Sequence, residues 1–144
     1  MSQPEDVRRL GLMVQLRQQD VDRLQSEVEG KRQLQERYRR NILRMGELCG
    51  QSGASADAGH PALARNCADY KGVLLGLMAS QQQDLQLAEA DAAVSQRALL
   101  QASLRREVMV QVRDQAAESL LRLRLKKEQK QTDELAGQAW LRGT

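Results

Sequence analysis

The sequence predicts an all-α protein in which two long helices form an antiparallel coiled-coil hairpin, the second helix being the longer. Three observations predict it. The chain has 144 residues but an aromatic content of only 2% and no Phe, so the bulky side chains that fill a rounded core are missing. What remains is rich in Leu, Ala, Gln, Arg, Glu and Val at 28% charge, a composition typical of long helices and coiled coils. A heptad spacing of apolar residues runs through both halves and is broken once, by a glycine-rich segment.

The first helix is expected over about residues 5–48. Alternating steps of three and four give Val7, Leu10, Val14, Arg17, Val21, Leu24, Val28, Lys31, Gln35, Tyr38, Ile42, Met45 and Cys49, a seam interrupted only at Arg17, Lys31 and Gln35. Such a narrow stripe cannot bury itself, so it requires a partner helix. Pro4 with Glu5 and Asp6 suits the opening turn, where proline loses no hydrogen bond and carboxylates meet the positive end of the helix dipole.

The hinge is residues 50–61, GQSGASADAGHP, where three glycines, a proline and small polar residues cluster. His60 lies inside it and has no second histidine or carboxylate cluster nearby, which marks a solvated loop residue rather than a metal ligand or catalytic base.

The second helix is expected over about residues 62–140, with no proline after Pro61. The same stepping gives Leu63, Cys67, Tyr70, Leu74, Leu77, Gln81, Asp84, Ala88, Asp91, Ser95, Ala98, Ala102, Arg105, Met109, Val112, Ala116, Ser119 and Leu123. Its small Ala and Ser residues allow a close approach of the partner. Gln81, Asp84 and Asp91 dilute the stripe and leave room for a local shift to a longer repeat.

At about 1.5 Å per residue, helix one is roughly 65 Å long and helix two roughly 115 Å, so a hairpin leaves about 30 residues of helix two beyond its partner. The C-terminal arm is the basic end: between Arg105 and Lys130, Arg105, Arg106, Arg113, Arg122, Arg124, Lys126, Lys127 and Lys130 outnumber Glu107, Asp114, Glu118 and Glu128. It is also apolar, with Leu120, Leu121, Leu123, Leu125, Leu135, Trp140 and Leu141 expected to face water, which marks an interaction surface. Self-association or a frayed end is the plainer reading of the same residues.

The apolar runs are far shorter than the roughly 20 residues that cross a bilayer, and MSQPEDVRR lacks a secretory signal. The protein is therefore expected in the cytoplasm, with Cys49 and Cys67 as part-buried thiols; a disulfide between them is the alternative under oxidation. There is no phosphate loop, GxSxG, HExxH or CxxC, so neither an enzyme nor a cofactor or metal site is expected. Acidic pairs such as Asp20 with Asp22 sit among arginines, as solvated ion pairs do.

The C-terminal run KEQKQTDELAGQAWLR, residues 127–142, carries an acidic-Gln-Lys stretch (Glu128, Gln129, Lys130) followed by Asp133, Glu134, Leu135 and Ala136. It resembles the ending of the FliJ family, stalk proteins of the flagellar type III export ATPase. ADYKGVLLGLMASQQQDL resembles the family's Tyr-led start of the second helix, and ERYRRNIL, with Tyr38, Arg39, Arg40, Asn41 and Leu43, completes a likeness in the right order.

The resemblance implies a non-enzymatic stalk whose paired helix ends insert into the hexameric FliI-type export ATPase. It also implies contact with the cytoplasmic domain of the FlhA-type export gate and with export chaperones, at the cytoplasmic side of the inner membrane. For the ring, the implied residues are Glu128, Gln129, Lys130, Asp133, Glu134 and Leu135. For the gate they are Val73, Leu77, Ser80 and Asp84, of which Val73 replaces a family aromatic, Ser80 an alanine and Asp84 a histidine. Spacing alone puts those four on one helical face, and Leu77 doubles as a seam residue. A stalk of a virulence injectisome is the alternative, and a basic coiled-coil binder of nucleic acid or anionic membrane is a second one, drawn from residues 105–130. Against the last, acids and apolar residues alternate with the bases, and no aromatic platform accompanies them.

Overall fold

In a computed structural model, residues 3–51 and 61–143 are described. They form two helices, α1 (Pro4–Gln51) and α2 (Pro61–Arg142), with no strand among the described residues. The helices pack against each other as the antiparallel hairpin expected from the heptads. Residues 52–60, which include His60 and most of the expected hinge, lie outside the described residues. Gly50 and Gln51 extend α1, and Pro61 begins α2. These were expected in the loop, yet a proline fits a first helical turn and a helix end runs on until its backbone bonds are lost.

The start of α1 follows its sequence. Asp6 Oδ2 accepts a hydrogen bond from the Gln3 backbone N–H at 3.1 Å, while the Gln3 carbonyl accepts from the N–H groups of Asp6 and Val7. This closes the first turn as a capping box does. At the other end of the chain the Gly143 N–H donates to the carbonyls of Ala139 and Trp140, satisfying acceptors that the last turn leaves open.

Contacts gather the two helices into two compact units, Arg23–Leu99 and the pair Met1–Asp22 with Leu100–Thr144. Within Arg23–Leu99, Gly46 faces the Met78 methyl, Arg39 pairs with Glu89, and Lys31 meets Asp91 and Ser95. Partner numbers rise on α2 as they fall on α1, the signature of an antiparallel pair. Within the other unit, Arg106 donates to Gln18 Oε1 at 3.1 Å, and Val21, 1% exposed, is the most deeply buried large side chain.

Every seam residue expected in α1, from Val7 to Cys49, is buried or half-buried, including Arg17, Lys31 and Gln35. In α2 the seam differs from the expectation. Within Arg23–Leu99 the covered residues are Cys67, Lys71, Leu74, Met78, Gln81, Leu85, Ala88, Ala92, Ser95 and Leu99, joined at the margin by Asp84 and Ala98; in the other unit they are Ala102, Arg106, Met109, Arg113, Ala116 and Leu120, joined by Ser103 and Val110. One column, Cys67 to Ala116, is as expected. The other is displaced by one residue, so Tyr70, Leu77, Asp91, Arg105, Val112 and Ser119 are exposed; Leu63 and Leu123 are exposed because they lie beyond the first and last covered residues, Cys67 and Leu120.

The reason is the charge in the rejected column. Burying Asp91 there would strand a carboxylate on a stem too short to reach water. The column that is used holds Lys71, Arg106 and Arg113 instead, whose long apolar stems lie along the seam while their charges emerge. The heptad therefore continues through residues 81–95 with no shift to a longer repeat.

Candidate partner-binding surfaces

A polar layer interrupts the seam of Arg23–Leu99. The Lys31 ammonium donates to Ser95 Oγ, lies 3.2 Å from Asp91 Oδ1 and 3.9 Å from Glu27 Oε1, and Gln35 Nε2 reaches the Ala88 carbonyl at 3.5 Å. Ser95 is the buried polar residue of the core. Arg39 adds an exposed bridge to Glu89 at 3.3 Å. Part-buried polar pairs of this kind fix which turn of one helix faces which turn of the other. Lys31 and Gln35 stood out in the sequence as breaks in an apolar stripe; their partners did not, because Asp91 had been assigned to the seam. Gln81 is a further polar seam residue, and its Oε1 is buried without a hydrogen-bond partner.

The residues implied for the export gate lie together. Val73, Leu77 and Ser80 are exposed, Val73 at 62% and Leu77 at 48%, and Asp84 is half-buried beside them. Met78 takes the packed position that Leu77 was expected to share. With Tyr70, itself exposed, they form an apolar strip on the surface of α2 with a carboxylate at one end.

The residues implied for the ATPase ring, Glu128, Gln129, Lys130, Asp133, Glu134 and Leu135, are all exposed, as is every residue from Leu121 to Gly143. Lys126, Gln129, Lys130, Asp133 and Glu134 line a shallow open depression along the helix. Leu120, half-buried, is the last covered residue of α2. The overhang expected from unequal helix lengths is thus present, and Leu121, Leu123, Leu125, Leu135, Trp140 and Leu141 are exposed on it.

The Arg32 guanidinium hydrogen-bonds the Glu29 carboxylate at 3.1 and 3.2 Å and holds it below the usual glutamate range, on an exposed helix face. Among the described residues no cluster of three or more His, Cys, Asp or Glu is placed to hold a metal ion, and no helix is long and apolar enough to cross a membrane. Cys49 and Cys67 are both thiols, buried and half-buried respectively.

Compared with known proteins, the chain matches the family model described as flagellar FliJ protein over residues 6–144. No curated protein and no solved structure matches it. The family match bears out the likeness seen in the C-terminal run and brings with it a stalk-type, non-catalytic part in flagellar type III export. In sequence along nearly its whole length, and in its pair of antiparallel helices, the chain belongs to the FliJ family.

Proposed function

We propose that the protein is the stalk and escort component of flagellar type III export, working in the cytoplasm at the inner membrane. Its overhanging end of α2 enters the centre of the hexameric FliI-type ATPase, and the strip of Val73, Leu77, Ser80 and Asp84 meets the cytoplasmic domain of the FlhA-type gate. Export chaperones are its other partners.

The observation that carries this reading is the run from Leu121 to Arg142, a continuous helix exposed along its whole length on a chain of this family. A helix so rich in leucine has apolar surface to bury, and among the described residues it lies beyond the end of the seam with α1. A paired-helix shaft supplies stiffness and an oriented charge, and hydrolysis belongs to the ring. The shaft stimulates hydrolysis by binding one state of the ring more tightly than the others, the only way that a ligand shifts an equilibrium.

Deleting residues 127–144 tests it. Helicity by circular dichroism should fall only in proportion to the residues removed, while stimulation of the purified ATPase is lost; stimulation that survives the deletion refutes the assignment. Loss of swimming in a strain lacking the gene, restored by the gene, assigns the flagellar system rather than an injectisome.

A further inference from the structure

Polar and sulfur-bearing residues of the Arg23–Leu99 unit recur one heptad apart, and the hairpin uses only one member of each repeat. Its register is set by Gln35, whose side chain reaches the Ala88 carbonyl, and by Gly46 beside the Met78 methyl. Stepping seven residues up α1 and seven down α2 puts Ile42 opposite Gln81, then Cys49 opposite Leu74. Cys49 and Leu74 are indeed both buried. Cys67 lies one heptad before Leu74, about 10 Å along the helix axis. A disulfide needs Cα atoms within about 7 Å, so this register keeps the two thiols apart, and the cross-link considered from sequence does not fit it.

Sliding α2 by one heptad lays seam on seam again. Cys49 then faces Cys67, and Gln35 faces Gln81, whose Oε1 is buried without a hydrogen-bond partner in the first register. Asp84, one heptad from Asp91, takes that residue's place beside Lys31. Glu89 passes from Arg39 to Arg32, and Arg32 and Glu89 already line one hollow with Val28 and Gln35. The losses are the Lys31 bond to Ser95 Oγ, since Ala88 replaces Ser95, and the Arg39 ion pair, since Gln82 replaces Glu89. A connection of nine residues, 52–60, spans up to about 30 Å and joins Gln51 to Pro61 in either register.

We propose that the hairpin has a second register, one heptad away, in which Cys49 meets Cys67, Gln35 meets Gln81 and Lys31 meets Asp84. Its mark in the first register is Gln81, a seam amide whose oxygen finds its partner only after the slide. The Lys31–Ser95 bond favours the first register, so the second is the minor state and is drawn out by whatever removes it from the equilibrium. Nothing in this depends on the stalk reading.

The test oxidises the full chain with diamide, which takes up the two electrons and two protons that a pair of thiols loses, and reads disulfides by mass spectrometry. Cys49 and Cys67 should join within one chain. In a Cys49→Ser, Cys67→Ser background, Val28→Cys with Ala88→Cys reports the second register far from the hinge, and Val28→Cys with Ser95→Cys reports the first; both pairs should close. Gln81→Leu, which leaves Gln35 without its new partner, should slow both second-register cross-links about tenfold. Ser95→Ala, which removes a bond that only the first register makes, should speed them about as much. Unchanged circular dichroism shows that the variants fold. Closure of the Val28→Cys, Ser95→Cys pair alone overturns the proposal. So does a Cys49–Cys67 cross-link without the Val28→Cys, Ala88→Cys one, which means opening of the hinge end only. Cross-links indifferent to Gln81→Leu and Ser95→Ala, or formed only between chains, overturn it as well.

Discussion

Leu77 and Leu85 show how sharply position on one helix separates roles. Leu85 is half-buried in the seam and Leu77 is exposed on the strip beside it. Leu85→Asp should cost about 2–3 kcal/mol, because a carboxylate is forced between packed helices, whereas Leu77→Asp should change stability by less than about 0.5 kcal/mol. Thermal melts of the two variants check both figures, and equal melts would put the seam back in the column that the structure rejects. Lys31 makes a different point. Lys31→Leu replaces a charged residue by an apolar one of similar size, so stability should move by only about 1 kcal/mol, but the turn-to-turn match that Ser95 and Asp91 impose is lost. Analytical ultracentrifugation should then show more than one species. The Glu29 carboxylate, held low first by its hydrogen bond to Arg32, adds stability above the ordinary glutamate pKa and loses it as the pH falls through the depressed value. On an exposed face this contribution is screened by salt.

At the scale of the elements, α1 was fully legible in the sequence and α2 only half so. The stripe of α1 is made of large apolar residues with isolated polar breaks, and stepping from Val7 to Cys49 has no competing column. Along α2 two columns, one through Tyr70 and Leu77 and one through Met78 and Leu85, share the line from Cys67 to Ala116. Periodicity does not choose between them. The choice turns on whether a seam position holds a short acid or a long base, and reading Lys71, Arg106 and Arg113 as packed stems rather than as breaks would have found it. The capping of α1 was readable from Pro4, Glu5 and Asp6 alone. Asp6→Ala removes the acceptor for the Gln3 N–H and should cost about 1 kcal/mol, measured as a fall in the thermal midpoint.

For the whole molecule, the family was legible in the run from Glu128 to Ala136, a pattern more specific than coiled-coil composition, and the match over residues 6–144 agrees with it. The residues proposed for partner contact were less legible, since a surface strip and a seam have the same spacing until burial separates them. The strip proposed for the gate belongs to Arg23–Leu99 and the overhang to the other unit, so the two proposed functions should come apart by mutation. Leu77→Asp is expected to abolish capture of the gate's cytoplasmic domain and to leave ATPase stimulation intact. Pull-down and hydrolysis assays on one preparation check this, and joint loss of both would show a shared surface.

The end of the seam at Leu120 has a mechanical corollary. A captor can close on the overhang's leucines without prying apart the helices that stiffen the shaft, because every residue from Leu121 to Gly143 is exposed. Tightness of hold and rigidity of the axle then answer to separate sets of residues, and either can drift under selection while the other stays as it is.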